Sequence, residues 1–85
     1  MESTTQATTI NMPVLQKGTS GEAVRFLQQV LIAIKYQKDH FDAQFNAETE
    51  SAVKNFQKAH GLKVDGIVGP KTWRALGDAI LKLAY

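Results

Sequence analysis

The side chains able to do chemistry are few in this chain, and they come in pairs. Asp42 and Asp65 each precede a turn residue and each open the same phrase: Asp42-Ala43-Gln44-Phe45-Asn46-Ala47-Glu48-Thr49 returns as Asp65-Gly66-Ile67-Val68-Gly69-Pro70-Lys71-Thr72. Two carboxylates placed alike are the apparatus of glycoside hydrolysis, one donating a proton while the other attacks or activates water. An Asp at the head of a turn also accepts hydrogen bonds from its own backbone, and that structural role is favoured for both residues. Ser20, Ser51 and the threonines offer hydroxyls, but none is spaced to meet a His-plus-acid pair. His40 lies between Asp39 and Asp42, a weak cation signal, and His60 falls at a helix end; a hydrolytic metal needs about three protein ligands. The absence of cysteine removes thiolate sites, disulfides and a Cys nucleophile together. The residues therefore point to no catalytic centre, metal or cofactor, and leave a binding role to consider.

The elements that must position these residues fit into one domain. The 85 residues are 44% hydrophobic and 21% charged, the balance of an ordinary soluble globule. Residues 1–13 read as a disordered N-terminal tail, because Met1 to Met12 are mostly polar, with Ala7 and Ile10 the apolar exceptions between the methionines. The folded domain is expected over residues 14–85. Ten Lys and Arg are scattered among eight acids, so the net charge of +2 makes a solvated surface and no nucleic-acid stripe. No segment approaches the roughly 18 apolar residues of a membrane span. There is no basic leader with an apolar h-region, although a domain cut from a secreted protein would look the same. A monomer is expected.

Three helices are predicted. The first begins near Thr19, since Thr19-Ser20-Gly21-Glu22 fits a capping box. Val24, Leu27, Leu31 and Ile34 form its stripe, Phe26 and Val30 widen it, and the helix fades around Tyr36 to Lys38. The second opens on Asn46 as N-cap with Glu48 and Glu50 in its first turn, buries Thr49, Ala52, Val53, Phe56 and Ala59, and closes at His60-Gly61 with Leu62 folding back. The third has Gly69 before Pro70, with Pro suited to the first helical position, and Trp73, Leu76, Ile80 and Leu83 as its stripe. Val64 and Val68, and Phe41 and Phe45 in the first copy, anchor the two turns. The short extended pieces are expected to lie near each other with a bridge or two of β pairing. The fold class is all-α: a small three-helix bundle with two similar turn-plus-helix units and at most very short β bridges.

A second echo links the helices. Ala23-Val24-x-x-Leu27-Gln28 returns as Ala52-Val53-x-x-Phe56-Gln57, which puts Gln28 and Gln57 on the core-facing side, where a polar group must find partners; loop backbone is expected to supply them. Trp73 is either core or the edge of a surface groove with Ile67 and Thr72. DNA reading by the third helix is disfavoured, since it carries only Lys71, Arg74 and Lys82, opposed by Asp78.

Together these residues resemble the peptidoglycan-binding domain appended to bacterial cell-wall hydrolases. The likeness runs through Leu15-Gln16-Lys17-Gly18, Gly21-x-x-Val24-x-x-Leu27-Gln28, Ala52-Val53-x-x-Phe56-Gln57-x-x-x-Gly61-Leu62 and Asp65-Gly66-x-Val68-Gly69-x-x-Thr72-Trp73-x-x-Leu76. It departs at Ala43 and Asn46, where the family often has glycines. The resemblance implies a non-catalytic module that attaches to peptidoglycan, its glycan and stem peptide, and accompanies a wall hydrolase in the cell wall or periplasm. Such a ligand calls for an apolar platform, backbone N–H groups near turns and a cation. Asp65, Gly66, Ile67, Gly69, Lys71, Thr72 and Trp73 supply them, with Asp42, Gln44, Phe45, Asn46 and Thr49 as a facing wall. The alternative on the same fold, also by resemblance, is a protein-interaction or regulatory pro-segment-like module, although the inhibitory Cys of such segments is missing.

Overall fold

Apolar periodicity becomes helix in all three expected places. The computed structural model describes residues 12–38 and 41–84. In it α1 spans Glu22–Ala33, α2 spans Ala47–Ala59 and α3 spans Pro70–Ala84, so the described residues form an all-α three-helix bundle. Most of the expected tail, residues 1–11, lies outside the described residues, as do Asp39 and His40. Met12 and Pro13, placed with that tail on sequence grounds, meet the fold: Met12 packs against the core and the Pro13 carbonyl accepts a hydrogen bond from Trp73 Nε1 at 2.9 Å.

The start of α1 differs from the capping box. The helix begins at Glu22 with Gly21 at the N-cap (φ 118°) and no side-chain cap. Thr19 and its neighbours are used elsewhere. The Thr19 carbonyl accepts from Phe45 N at 2.9 Å, Gly21 N donates to Ala43 O at 3.0 Å, and Ser20 forms an antiparallel bridge with Gln44. A second bridge joins Leu15 to Val68 through hydrogen bonds of 3.1 and 2.8 Å. The two short extended pieces therefore do not pair with each other; each pairs with the strip of chain leading into α1. The reason is packing, because that strip seats Leu15 in the core beside Val68, both almost wholly buried.

Both α1 and α2 close by the same device, in which a residue with left-handed backbone lets the following N–H groups reach back to the last free carbonyls. Gly61 (φ 69°) does this for α2, and Leu62 N donates to Gln57 O at 2.8 Å. In α1 the same place is taken by Lys35 (φ 68°), and Tyr36 N donates to Leu31 O at 2.8 Å. That closure ends α1 at Ala33, short of the expected fade around Tyr36 to Lys38.

Core packing is centred on α1, whose Val24, Leu27 and Leu31 are fully buried and which contacts both other helices. Val53 and Phe56 of α2, Leu76 of α3 and the turn anchors Phe45 and Val68 complete it. Four expected core or anchor positions are exposed instead: Phe41, Ala59, Val64 and Leu83. Val64 and Phe41 occupy matching places before the two Asp turns and both face outward, Phe41 beneath Arg25 with the guanidinium 5.8 Å from its ring centroid. Phe26 is also half exposed, stacked on Trp73 at 6.0 Å.

A Lys held at φ 68° carries a backbone strain of about 1–2 kcal/mol that Gly does not, partly offset by the greater chain entropy Gly loses on folding. Lys35→Gly is therefore expected to raise stability by roughly 0.5–1 kcal/mol. Urea denaturation should show the higher midpoint with an unchanged slope.

Candidate functional site

The site begins with two buried amides. Gln57 is 1% exposed and clamps the second turn with both ends of its side chain. Its Oε1 accepts from Asp65 N at 3.1 Å and Gly66 N at 3.0 Å, while Nε2 lies within donating distance of Asp65 Oδ1 (3.0 Å), Ile67 O (3.0 Å) and Thr72 Oγ1 (3.2 Å). Gln28 does the same for the first turn. Its Oε1 accepts from Asp42 N and Ala43 N, and Nε2 reaches Asp42 Oδ1, Gln44 O and Thr49 Oγ1. The repeated phrase is thus the recognition sequence for a Gln on the preceding helix, which answers where the two buried amides find their partners.

Each Asp also serves its own turn, as expected. Oδ1 of Asp42 accepts from Gln44 N at 3.0 Å and Oδ1 of Asp65 from Ile67 N at 2.9 Å. The hydrogen bond from Ile67 N is the largest influence on Asp65 and holds its carboxyl below the ordinary value of 3.8; slight burial opposes this, and Gln57 and the nearby Lys63 charge reinforce it. A general acid needs the opposite shift. The departures from glycine in the first copy leave the turn intact, since Ala43 (φ 65°) adopts the same left-handed backbone as Gly66 (φ 73°).

The copies differ where their helices begin. In α2 the Asn46 side chain accepts from Thr49 N at 3.0 Å, and Glu48 and Glu50 fill the first turn. In α3 Gly69 has no side chain to cap with, and no acid occupies the first turn. Beside this entry opens a groove of about 510 Å³ lined by Gln57, Gly61 and Leu62 from the end of α2, Lys63, Asp65 and Ile67 from the turn, and Gly69, Pro70, Lys71 and Thr72 from the start of α3.

Five expected site residues, Asp65, Ile67, Gly69, Lys71 and Thr72, therefore share one groove. Gly66 lies buried beneath it, where an added Cβ would come within 3.1 Å of Glu50 Cγ and Lys54 Cε. Trp73 is not in this groove. It is 6% exposed, tied by Nε1 to Pro13 O and stacked on Phe26. It lines a separate apolar groove of about 410 Å³ between α1 and α3, with Met12, Phe26, Gln29 and Ile80 among its neighbours. Helical geometry explains the divergence, because consecutive residues Thr72 and Trp73 point about 100° apart. Asp42, Gln44 and Asn46 do not form a facing wall: they sit in the first turn against α1, and Phe45 and Thr49 are buried. Leu62, Lys63 and Pro70 were not among the expected site residues, though the helix closure at Gly61-Leu62 was the signal that brings two of them over the turn. His60 is exposed against the Phe56 ring. Among the described residues no group of three His, Cys, Asp or Glu could hold a metal ion.

Two turn-plus-helix units around a shared helix, the second with an open groove, define a small three-helix binding module. The sequence model of the family described as "Putative peptidoglycan binding domain" matches residues 20–76. The chain belongs to this peptidoglycan-binding family. It is 42% identical over 76 residues to the N-acetylmuramoyl-L-alanine amidase CwlL of Bacillus licheniformis, a match covering 87% of this chain and 21% of the amidase. Against the spore cortex-lytic enzyme of Halalkalibacterium halodurans it is 38% identical over 71 residues, 84% of this chain and 22% of that enzyme. The crystal structure of the SleB N-terminal domain superposes with a TM-score of 0.78 at 38% identity, covering 84% of this chain and 97% of that one. The chain thus spans about a fifth of the length of these two enzymes and nearly the whole of the SleB N-terminal domain.

Gln57→Leu removes the acceptor of two turn N–H groups without opening a large cavity, and the expected cost is about 2–4 kcal/mol, read from urea denaturation. For Asp65 the linkage has a definite sign. A carboxyl lowered on folding contributes its stability above pH 3.8, and that contribution is lost as pH falls below 3.8 through the folded-state value. Thermal melts from pH 2 to 6 should show a shallower acid limb for Asp65→Asn than for wild type.

Proposed function

We propose that the chain is a non-catalytic module that holds a cell-wall hydrolase on peptidoglycan, with the ligand seated in the groove between the end of α2, the second Asp turn and the start of α3. The observation that carries this is the convergence of Asp65, Ile67, Lys71 and Thr72 on one open groove in a member of a peptidoglycan-binding family. The amidase and cortex-lytic relatives have about four-fifths of their length outside the match, room for catalytic parts outside the matched region. Its own best-placed acid, Asp65, has its pKa moved away from general-acid work. The place of action is the cell wall or periplasm, where peptidoglycan is found. A shallow groove open to solvent binds one unit weakly, with Kd on the order of micromolar to millimolar, and a polymer of many repeats turns that into retention.

The test is a pull-down on insoluble murein sacculi at low salt. Wild type is expected in the pellet, and Lys71→Glu and Ile67→Asp, each first shown to be folded by circular dichroism, are expected to shift several-fold toward the supernatant. Folded wild type that stays in the supernatant would discard the wall-binding function.

A further inference from the structure

We infer that the groove at the second Asp turn recognises the peptide stems of peptidoglycan and not its sugar strand; this deepens, and rests on, the wall-binding function proposed above. Protein sites for sugars commonly lay the apolar face of the ring on an aromatic side chain and meet its hydroxyls with neutral polar groups. Among the described residues lining this groove none is aromatic. Trp73, the one candidate platform nearby in sequence, is turned into the other groove and fixed there by its hydrogen bond to Pro13 O.

The neutral polar side chains are also committed. Both functional atoms of Gln57 are engaged by the turn, and the Thr72 hydroxyl accepts from Gln57. The side chains that remain open to a ligand are ionic or aliphatic. Lys63 and Lys71 present ammonium groups, Lys71 without an ion-pair partner among the described residues, and Asp65 is an exposed carboxylate. Leu62, Ile67 and Pro70 supply aliphatic surface. Ammonium groups beside small aliphatic patches match a short peptide bearing free carboxylates and alanine methyl groups. A neutral chain of N-acetylated sugars would leave Lys71 without a partner.

The apolar groove between α1 and α3 is no better for a sugar. It offers two aromatic rings, Phe26 and Trp73, but among the described residues lining it Gln29 is the only polar side chain apart from the indole N–H, which is already used. Sugar hydroxyls placed there would lose water without gaining partners. Neither groove combines the two features a sugar site requires.

The experiment pairs two soluble probes, a murein tetrapeptide stem with free carboxylate ends and tetra-N-acetylchitotetraose. Each is titrated into isotope-labelled protein and each is used to displace protein from sacculi. The expected result is that the peptide shifts the amide signals of Lys63, Ile67 and Lys71 and releases bound protein, while the tetrasaccharide does neither. Lys71→Glu should weaken peptide binding about tenfold, while Lys71→Arg stays within about threefold of wild type. Phe26→Ser should leave both readouts unchanged. Displacement by the tetrasaccharide with no effect of the peptide would overturn the inference and leave wall binding standing. Failure of folded wild type to pellet with sacculi at all would remove the wall-binding function and this inference with it.

Discussion

A buried amide that must be satisfied organises this fold. A Gln side chain in a core presents two N–H donors and a carbonyl acceptor, and leaving them unpaired costs about 1–3 kcal/mol for each group. Gln57 meets that demand by gathering the backbone of residues 65–67 and the hydroxyl of Thr72 around itself, and Gln28 does so with residues 42–44 and Thr49. The satisfied amide then becomes a joint. It fixes the direction in which the chain leaves one helix and the position from which the next begins. With no cysteine to form a cross-link, a domain of this size has only a modest apolar core to rely on, and these two polar joints hold its loops where core contacts are thin.

The joint explains why the repeated phrase has the residues it has. An Asp is needed because its Oδ1 must receive both the Gln amide and the N–H two residues on. A left-handed residue must follow so that two consecutive N–H groups converge on one Gln oxygen. An apolar residue at the fourth position drives the turn into the core, and a Thr at the eighth supplies the last acceptor. Ala43 shows how strongly the joint dominates. Its left-handed backbone is disfavoured for a residue with a Cβ, yet the Gln28 and Asp42 hydrogen bonds hold it there.

How much could be read from sequence follows from which interactions are local. Helices α2 and α3, the Asn46 cap, the Gly61 closure and the Pro70 start depend on residues within one turn of each other, and those features stand where periodicity and capping chemistry put them. The glutamine joints were legible because the repeat placed a polar residue on an apolar face twice. The start of α1 was not, because Thr19 and Ser20 are drawn into pairing with residues 43–45, a long-range contact that outcompetes a locally plausible capping box. Trp73 was ambiguous for a related reason. Its stripe position fitted the core, and only the course of the chain at Met12 and Pro13 shows what its indole N–H bonds to.

The same joint, used twice, leaves one copy closed and the other open. In the first, the Asn46 side chain covers the entry of α2 and Glu48 and Glu50 complement its positive end, so the helix start is internally satisfied. In the second, Gly69 and Pro70 begin α3 with no polar side chain over the entry, and the closure of α2 at Gly61 carries Leu62 and Lys63 to the same place. Gly69, at the position Asn46 takes in the first unit, lines the groove of the second. Because the backbone of both turns is held by a buried glutamine, the side chains of Ile67 and Lys71 on the open rim contribute little to holding the turn itself. Those side chains can therefore vary without loss of the turn, while Gln57, Asp65 and Thr72 keep it in place.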